Sequence, residues 1–304
     1  MTIVDGKKIR NEILEKVKQE VSALPFQPLF CDVLVGNDPA SVQYVEMKGR
    51  MAEEVGIAFY RANFPQDIST EDLIQEIKKL NEVPHMCGII IQLPLPEHID
   101  RQATLDAIRP DLDVDCLGAV ASEKFYTGEG ELGYPTALAC MAILDSLNLD
   151  LDPSTPFDKA QDRSLGASKK IVVQGQGLLV GKPVTALLRF RGLDPVILTS
   201  KSENKEKILK EADVIISGIG KGKYITGEMI KEGVVIIDAG TSESNGGIVG
   251  DVDLESVKGI AGFVSPVPGG VGPVTVAILL HNVLTVAQSF GKTQARGDSS
   301  LELR

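Results

Sequence analysis

Apolar residues recur at helical spacing through Ile9, Ile13, Leu14, Val17 and Val21 and stop before Pro25. The next stretch, "LFCDVLV" from Leu29 to Val35, reads as a buried strand. The alternation then repeats. The pattern predicts a helix over "QYVEMKGR" to about Val55, a strand over Ile57 to Phe64, a helix from Thr70 to Leu80 and the strand "CGIIIQL". A helix over Arg101 to Ile108, a loop rich in Asp and Gly, and an apolar helix from Thr136 to Leu147 close the first half. Helices that alternate with short apolar strands predict an α/β fold with crossover connections.

Residues 150–168 have Pro, Ser and Asp but little apolar periodicity, and are longer than an ordinary helix-to-strand connection, so they read as an exposed linker with an insertion. The rhythm restarts at "KKIVVQG" and runs through "VGKPVTALLRF", "DPVILTS", "NKEKILKEA", "DVIISG" and "GVVIIDAG", which predicts a Rossmann-like, doubly wound nucleotide-binding domain. The expected boundaries are a catalytic domain over 1–149, the linker over 150–168, the nucleotide domain over 169–272, a last helix over 273–290 and a disordered polar tail over 291–304.

A chain of 304 residues with 43% hydrophobic content exceeds the usual single core and fits two domains. The formal charge of -11 argues against nucleic acid as the main partner, which needs clustered Lys and Arg. Cys31, Cys87, Cys116 and Cys140, like His85, His98 and His281, lack metal-ligand or redox spacing, so the expectation is no metal and a reducing compartment. The N-terminus is charged and no apolar run reaches about eighteen residues. The sequence therefore predicts a cytoplasmic protein with no membrane partner.

Candidate chemistry begins at Tyr44 and Lys48, four residues apart and hence on one helix face. Alone, such a pair is ordinarily a lysine snorkelling along a phenol to water. In "IVVQGQGLLVGKP", Gly175, Gly177 and Gly181 follow a strand and open a helix, where glycines let a diphosphate approach backbone N–H groups. The third Gly comes one residue later than in the usual fingerprint, which leaves a generic turn as the other reading. After the next strand, Ser200 and Lys201 stand where the adenine ribose is read, and a cation there favours NADP, although an exposed Lys is ordinarily only solvated. Gln92 ends an apolar strand, Asp111, Asp113 and Asp115 cluster in a loop, and "SPVPGGVGPVTVAILLHN" precedes the last helix; each is weak alone.

Their order is specific. "VGNDPAS", "YVEMK", "IIIQLPLP", "DVD", "VGKP" and "PVPGGVGP" together resemble the bifunctional methylenetetrahydrofolate dehydrogenase/cyclohydrolase family, from "IVDGKKI" to about Val286. The resemblance implies two α/β domains flanking a cleft, the first folate-binding and catalytic, with the last helix returning to it. It implies Lys48, Tyr44 and Gln92 as catalytic residues and Tyr44, Asp115, Pro266, Gly269 and Gly270 as folate-binding. Gly175, Gln176, Gly177, Gly181, Ser200, Lys201 and Thr275 would bind NADP, with NAD as the alternative. The implied activity is oxidation of methylenetetrahydrofolate to the methenyl form and its hydrolysis to formyltetrahydrofolate, by a homodimer acting on tetrahydrofolate derivatives.

The chain departs from the family at Gln176, which stands where an Arg helps hold the NADP phosphate, at Leu112 and Cys116 beside the acidic loop, and at Tyr134 to Ala137. The alternatives are a NAD(P) dehydrogenase of another small substrate with Lys48 as acid/base, a dehydrogenase-only member of the family, and a non-catalytic binder.

Overall fold

The computed structural model describes residues 1–149, 169–244 and 247–298. The expected linker, 150–168, lies outside the described residues. The chain forms two compact units, one of Met1–Arg10 with Thr136–Thr275 and the other of Asn11–Pro135 with Val276–Arg304. These differ from the sequence boundaries at both ends. Strand β1 (Thr2–Ile3) adds parallel to β11 (Phe263–Ser265), which ties the first residues to the nucleotide unit. Helix α6 (Pro135–Ser146) joins the same unit, where Asp145 accepts two hydrogen bonds from Arg191 at 2.6 and 2.9 Å.

In the other unit, β2 (Leu29–Val35) is the centre of a parallel three-stranded sheet between β3 (Ala58–Phe64) and β4 (Met86–Ile91). Helices α1 (Gly6–Ser22), α2 (Pro39–Glu54), α3 (Thr70–Asn81) and α4 (Arg101–Asp106) alternate with these strands. Helix α2 starts cleanly because Asp38 accepts from the Ser41 N–H at 2.8 Å and Pro39 needs no amide partner there. It lies close on β3: a Cβ on Gly49 would come within 2.5 Å of the Phe59 ring.

Helix α5 (Ala119–Thr127) forms where the sequence predicted only loop. Its apolar positions make no stripe, and Gly118 gives no side-chain cap; its stop signal is Gly128, left-handed at φ 75°.

The nucleotide unit holds β5 (Ile171–Gln174), α7 (Gly181–Phe190), β6 (Val196–Leu198), α8 (Lys205–Glu211), β7 (Val214–Ser217) and β8 (Val235–Asp238). Its parallel sheet runs β1-β11-β8-β7-β5-β6, so strand order reverses between β5 and β7. A hairpin of β9 (Ser242–Ser244) and β10 (Gly247–Val249) is added, too short and polar for the sequence pattern to reveal.

Helix α9 spans Val271–Asp298, past the point where a disordered tail was expected; residues 299–304 lie outside the described residues. Its Val276, Leu280, Val283 and Ala287 pack into the core with β2 and β4. Gly88 makes room for it, since a Cβ there would meet Val283 at 2.8 Å. The stretch Val271–Phe290 is long and apolar enough to cross a membrane, but 61% of that window is buried in the protein, as in a core helix.

Candidate active site

Lys48 does not snorkel. It is 2% exposed, and its ammonium lies 4.7 Å from the centre of the Tyr44 ring, 2.6 Å from Asp32 Oδ2 and 2.9 Å from Gln92 Oε1, to which it donates. Two features of the sheet set this geometry. Asp32 points from the central strand towards α2, and Gln92 follows β4 with its N–H bonded to Val33 O at 2.8 Å and a cis Leu93–Pro94 bond beyond it. The Gln92 amide nitrogen donates to Leu93 O at 2.7 Å, which turns its oxygen to the lysine.

Asp115 stands in the same electrostatic group. Burial, with Asp113 and Asp32 nearby and Lys48 opposing, pushes its carboxyl up from 3.8 to about 7. Burial likewise raises Asp32 against the pull of Lys48, and raises Asp113, which is 1% exposed. The Tyr44 ring is 38% exposed, yet its hydroxyl end is desolvated and faces Asp115 and Asp32, which pushes the phenol up to about 12. The loop carrying Asp115 is braced from two sides. Asp113 Oδ2 accepts from the Gly118 N–H at 2.7 Å, and the buried Asn282 of α9 donates to Val114 O and Gly133 O, both at 2.8 Å.

Two departures from the family gain a physical description here. Cys116, in place of Gly, adopts a left-handed φ of 58°, and Leu112, in place of Lys, is fully buried in the core.

Asp32 is the residue that sequence reasoning missed. Its signal was a single carboxylate inside "LFCDVLV", where an apolar residue would pack without cost.

In the nucleotide unit a cavity of about 270 Å³ opens where the strand order reverses, the usual place for a ligand in such sheets. It is lined by Gly175, Gln176, Gly177, Ser200, Lys205 and Lys221, among others. Gly175 has φ 97° and closes on the turn after β7, since a Cβ on it would meet Gly218 O at 2.8 Å. Gly181 buttresses the turn from behind, with a Cβ position 2.1 Å from Gly175 O, whereas Gly177 faces open space. Gln174 Oε1 is buried on this wall and has no hydrogen-bond partner among the described residues. The Gln176 side chain folds back, donating to Gly175 O at 2.8 Å and Thr185 Oγ1 at 3.2 Å. The turn after β7 is shaped by Asp251, which accepts from Ser217 Oγ, Ile219 N and Lys221 N at 2.7 to 2.8 Å. A bare backbone cradle with an unsatisfied acceptor fits a dinucleotide.

Lys201 is exposed and does not line this cavity; Lys205, half-buried, does, and donates to Ser200 O at 2.7 Å. Thr275 sits one turn into α9 and its hydroxyl donates to Val271 O. Pro266, Gly269 and Gly270 form a turn with a cis Val267–Pro268 bond, closed by Gly270 N–H to Pro266 O at 2.7 Å and packed against Gly6. Neither Thr275 nor that turn lines the cavity. Among the described residues no group of three or more His, Cys, Asp or Glu is placed to hold a metal ion.

Residues 4–115 match the catalytic domain of tetrahydrofolate dehydrogenase/cyclohydrolase, and residues 159–290 match the NAD(P)-binding domain of the same family. The chain is 37% identical over 287 residues to the bifunctional protein FolD of Methanoculleus marisnigri, covering 94% of this chain and 96% of that protein. The crystal structure of the bifunctional FolD enzyme of Campylobacter jejuni is similar with a TM-score of 0.86 at 31% identity, over 95% of this chain and 99% of that one. The Trypanosoma brucei methylenetetrahydrofolate dehydrogenase-cyclohydrolase, complexed with NADP cofactor and inhibitor, gives a TM-score of 0.84 at 30% identity, over 95% and 97% of the two chains. With both of its domains matched and relatives aligned along almost its full length, the chain belongs to the tetrahydrofolate dehydrogenase/cyclohydrolase family.

Proposed function

We propose that this protein oxidises methylenetetrahydrofolate with NADP and hydrolyses the resulting methenyl form to formyltetrahydrofolate. The observation that carries the reading is the buried Lys48 ammonium, held between Asp32 and Gln92 beside Tyr44 and Asp115. A buried charge cluster is costly to fold and is retained where chemistry needs it.

In the first step the methylene C–H bond breaks with its electron pair leaving as hydride, and the one-carbon bridge becomes cationic. When bound, NADP supplies the hydride acceptor, held by the backbone of Gly175, Gln176 and Gly177 and by Ser200. In the second step water adds to the bridge carbon, one C–N bond opens and a proton is released. Lys48 and Gln92 orient the water and the bridge by hydrogen bonding. The Tyr44 ring offers a flat face to the folate, and ionised Asp115 accepts from the amino-pyrimidine edge of the pterin.

A homodimer in the cytoplasm is part of the same proposal. It rests on the family resemblance and on cysteines that are all free in the structure.

The test is absorbance of the purified protein with methylenetetrahydrofolate and NADP or NAD. The expected result is cofactor-dependent formation of the methenyl product followed by its decay. No turnover with either cofactor would overturn the reading.

A further inference from the structure

We propose that Asp32 is the positioning residue of Lys48: it fixes the ammonium against Gln92 and cancels its charge, so that a cationic one-carbon bridge can lie beside it. The inference rests on the folate reading above.

Asp32 sits at the middle of the central strand, is wholly buried, and lies between the core residues Cys31 and Val33. An apolar side chain would serve the sheet at least as well, because a buried ion pair commonly stabilises less than the packing that replaces it. Among the described residues its one charge partner is Lys48, at 2.6 Å, and its Oδ1 has no hydrogen-bond donor. The carboxylate therefore answers to the lysine and not to the fold.

The reaction supplies the reason. Removing hydride from the methylene bridge leaves a positive charge on the carbon that water must attack. A bare ammonium in a desolvated site repels that cation, and the repulsion grows as the local dielectric falls. With Asp32 against it, the pair presents a dipole of no net charge. Lys48 keeps its N–H donors for Gln92 and water, and the bridge meets no unbalanced like charge.

The groups facing Asp32 are few. On α2 they are Lys48 and the Tyr44 hydroxyl, and on the acidic loop Asp115, with Asp113 behind it; the neighbouring Cys31 thiol, on the opposite face of the strand, is pushed up by burial and by the Asp32 charge. Arg61, its register partner on β3, is exposed and paired with Glu46 at 3.6 Å. Lys48 is thus the group whose behaviour changes most when Asp32 is neutralised.

The experiment is Asp32→Asn in the full chain, read by kcat and KM of methenyl hydrolysis and by melting temperature, with Lys48→Met and the double variant completing a cycle. In Asp32→Asn the ammonium loses its nearest counter-charge, the carboxylate at 2.6 Å that fixes it against Gln92, and its positive charge is left less balanced beside the cationic bridge. The kcat of methenyl hydrolysis should fall about tenfold or more with a smaller change in KM for folate, and Asp32→Asn should add little to the loss already seen in Lys48→Met. A purely structural aspartate would lower the melting temperature and leave kcat near wild type, and kcat near wild type, or a loss that simply multiplies with that of Lys48→Met, overturns the proposal.

If Asp32→Asn does not fold, the cycle uses Asp32→Val together with Lys48→Met. Melting temperatures in which the double variant recovers most of the loss of either single change support the pairing, and additive losses overturn it. Wild-type protein without folate turnover would remove the functional reading alone, since the thermal cycle judges the pair without any substrate.

Discussion

Around Lys48 one unit buries an ammonium with Asp32 and Asp113 and half-buries Asp115, whereas the cavity of the nucleotide unit is walled by Gly175, Gln176, Gly177 and the glycine-rich turn after β7. The first places charge where solvent is excluded, and burial raises all three carboxyls. The second removes side chains so that backbone donors are reachable, and its cations sit at the rim, Lys205 half-buried and Lys221 exposed. A site made of charge fails when a charge or a proton changes and tolerates small changes of volume. A site made of bare backbone fails when a methyl group is added and tolerates changes of pH.

The largest effect expected from this contrast is in Lys48→Met, which keeps the volume and removes the charge. Methenyl hydrolysis should fall by about 10²–10³-fold, the usual scale for losing a preorganised hydrogen-bond donor at the reacting centre. Oxidation of the methylene form should fall much less, because hydride transfer depends on alignment of the two reactants. Separate assays of the two steps decide it; equal losses would mean that Lys48 serves binding alone.

The matching change in the nucleotide unit is Gly181→Ala. The new Cβ would lie 2.1 Å from Gly175 O, a backbone atom that cannot swing aside. The turn must deform, and the KM for the dinucleotide should rise about tenfold or more, equivalent to about 1.4 kcal/mol. Gly177→Ala is the control, with no neighbour within 4 Å and no positive φ to strain it. Its melting temperature should match wild type.

Asp115 sharpens the comparison through pH. Its carboxyl is raised from 3.8 to about 7, first by burial, so the folded state holds the proton more tightly than the unfolded state does. The stability linked to this group is complete below 3.8 and is lost as pH rises through about 7. Asp115→Asn should melt a few degrees higher than wild type at pH 8, on the order expected for one perturbed group, with the gap closing towards pH 4. Folate binding should move the other way. The wild-type KM for folate should fall as pH rises through about 7, because ionised Asp115 accepts from the pterin, and the Asn variant should be weaker and flat. The nucleotide KM, measured over the same range, should not follow this titration.

The elements with a full apolar stripe or run were legible in the sequence: β2, α3, β4 and the start of α9 follow from their spacing, and Tyr44 and Lys48 share a face because they are one turn apart. What was hidden depends on contacts distant in sequence. Asp32 is one polar letter in a strand, and its meaning lies in Lys48, on the next helix. Strand β1 is two residues long and exists only by pairing with β11. Lys201 drew attention because it lies next to the strand end, yet proximity in sequence is a poor guide to a tight loop. There the Thr199 N–H bonds to Ser202 Oγ at 3.0 Å, and the Lys201 N–H donates to Thr199 Oγ1 at 3.2 Å. Asn204 then turns left-handed at φ 52°, and the chain brings Lys205 back to Ser200.

That loop decides the smallest effect, the choice between NADP and NAD. The end of β6 carries no carboxylate on the cavity wall to accept from free ribose hydroxyls, which removes the usual preference for NAD. The family's Arg is replaced by Gln176, whose amide is already bonded to Gly175 and Thr185, so it brings no charge to an added phosphate. Lys205 lines the wall beside Ser200 and spends one of its three N–H groups on Ser200 O, leaving donors for a phosphate oxygen. A charge-assisted contact of this kind contributes about 1.5 to 3 kcal/mol, or roughly ten- to a hundredfold in preference. Partial exposure of Lys205 and screening by salt place the expected effect at the lower end. Lys205→Met should therefore lower the NADP over NAD ratio of kcat/KM about tenfold, with kcat/KM for NAD nearly constant and the loss shrinking at high salt. Lys201→Ala, which changes an exposed side chain off the cavity wall, should alter the ratio by less than about twofold. The reverse ranking of the two variants would return the phosphate to Lys201, and a ratio unmoved by either would leave Ser200 and backbone amides as its donors.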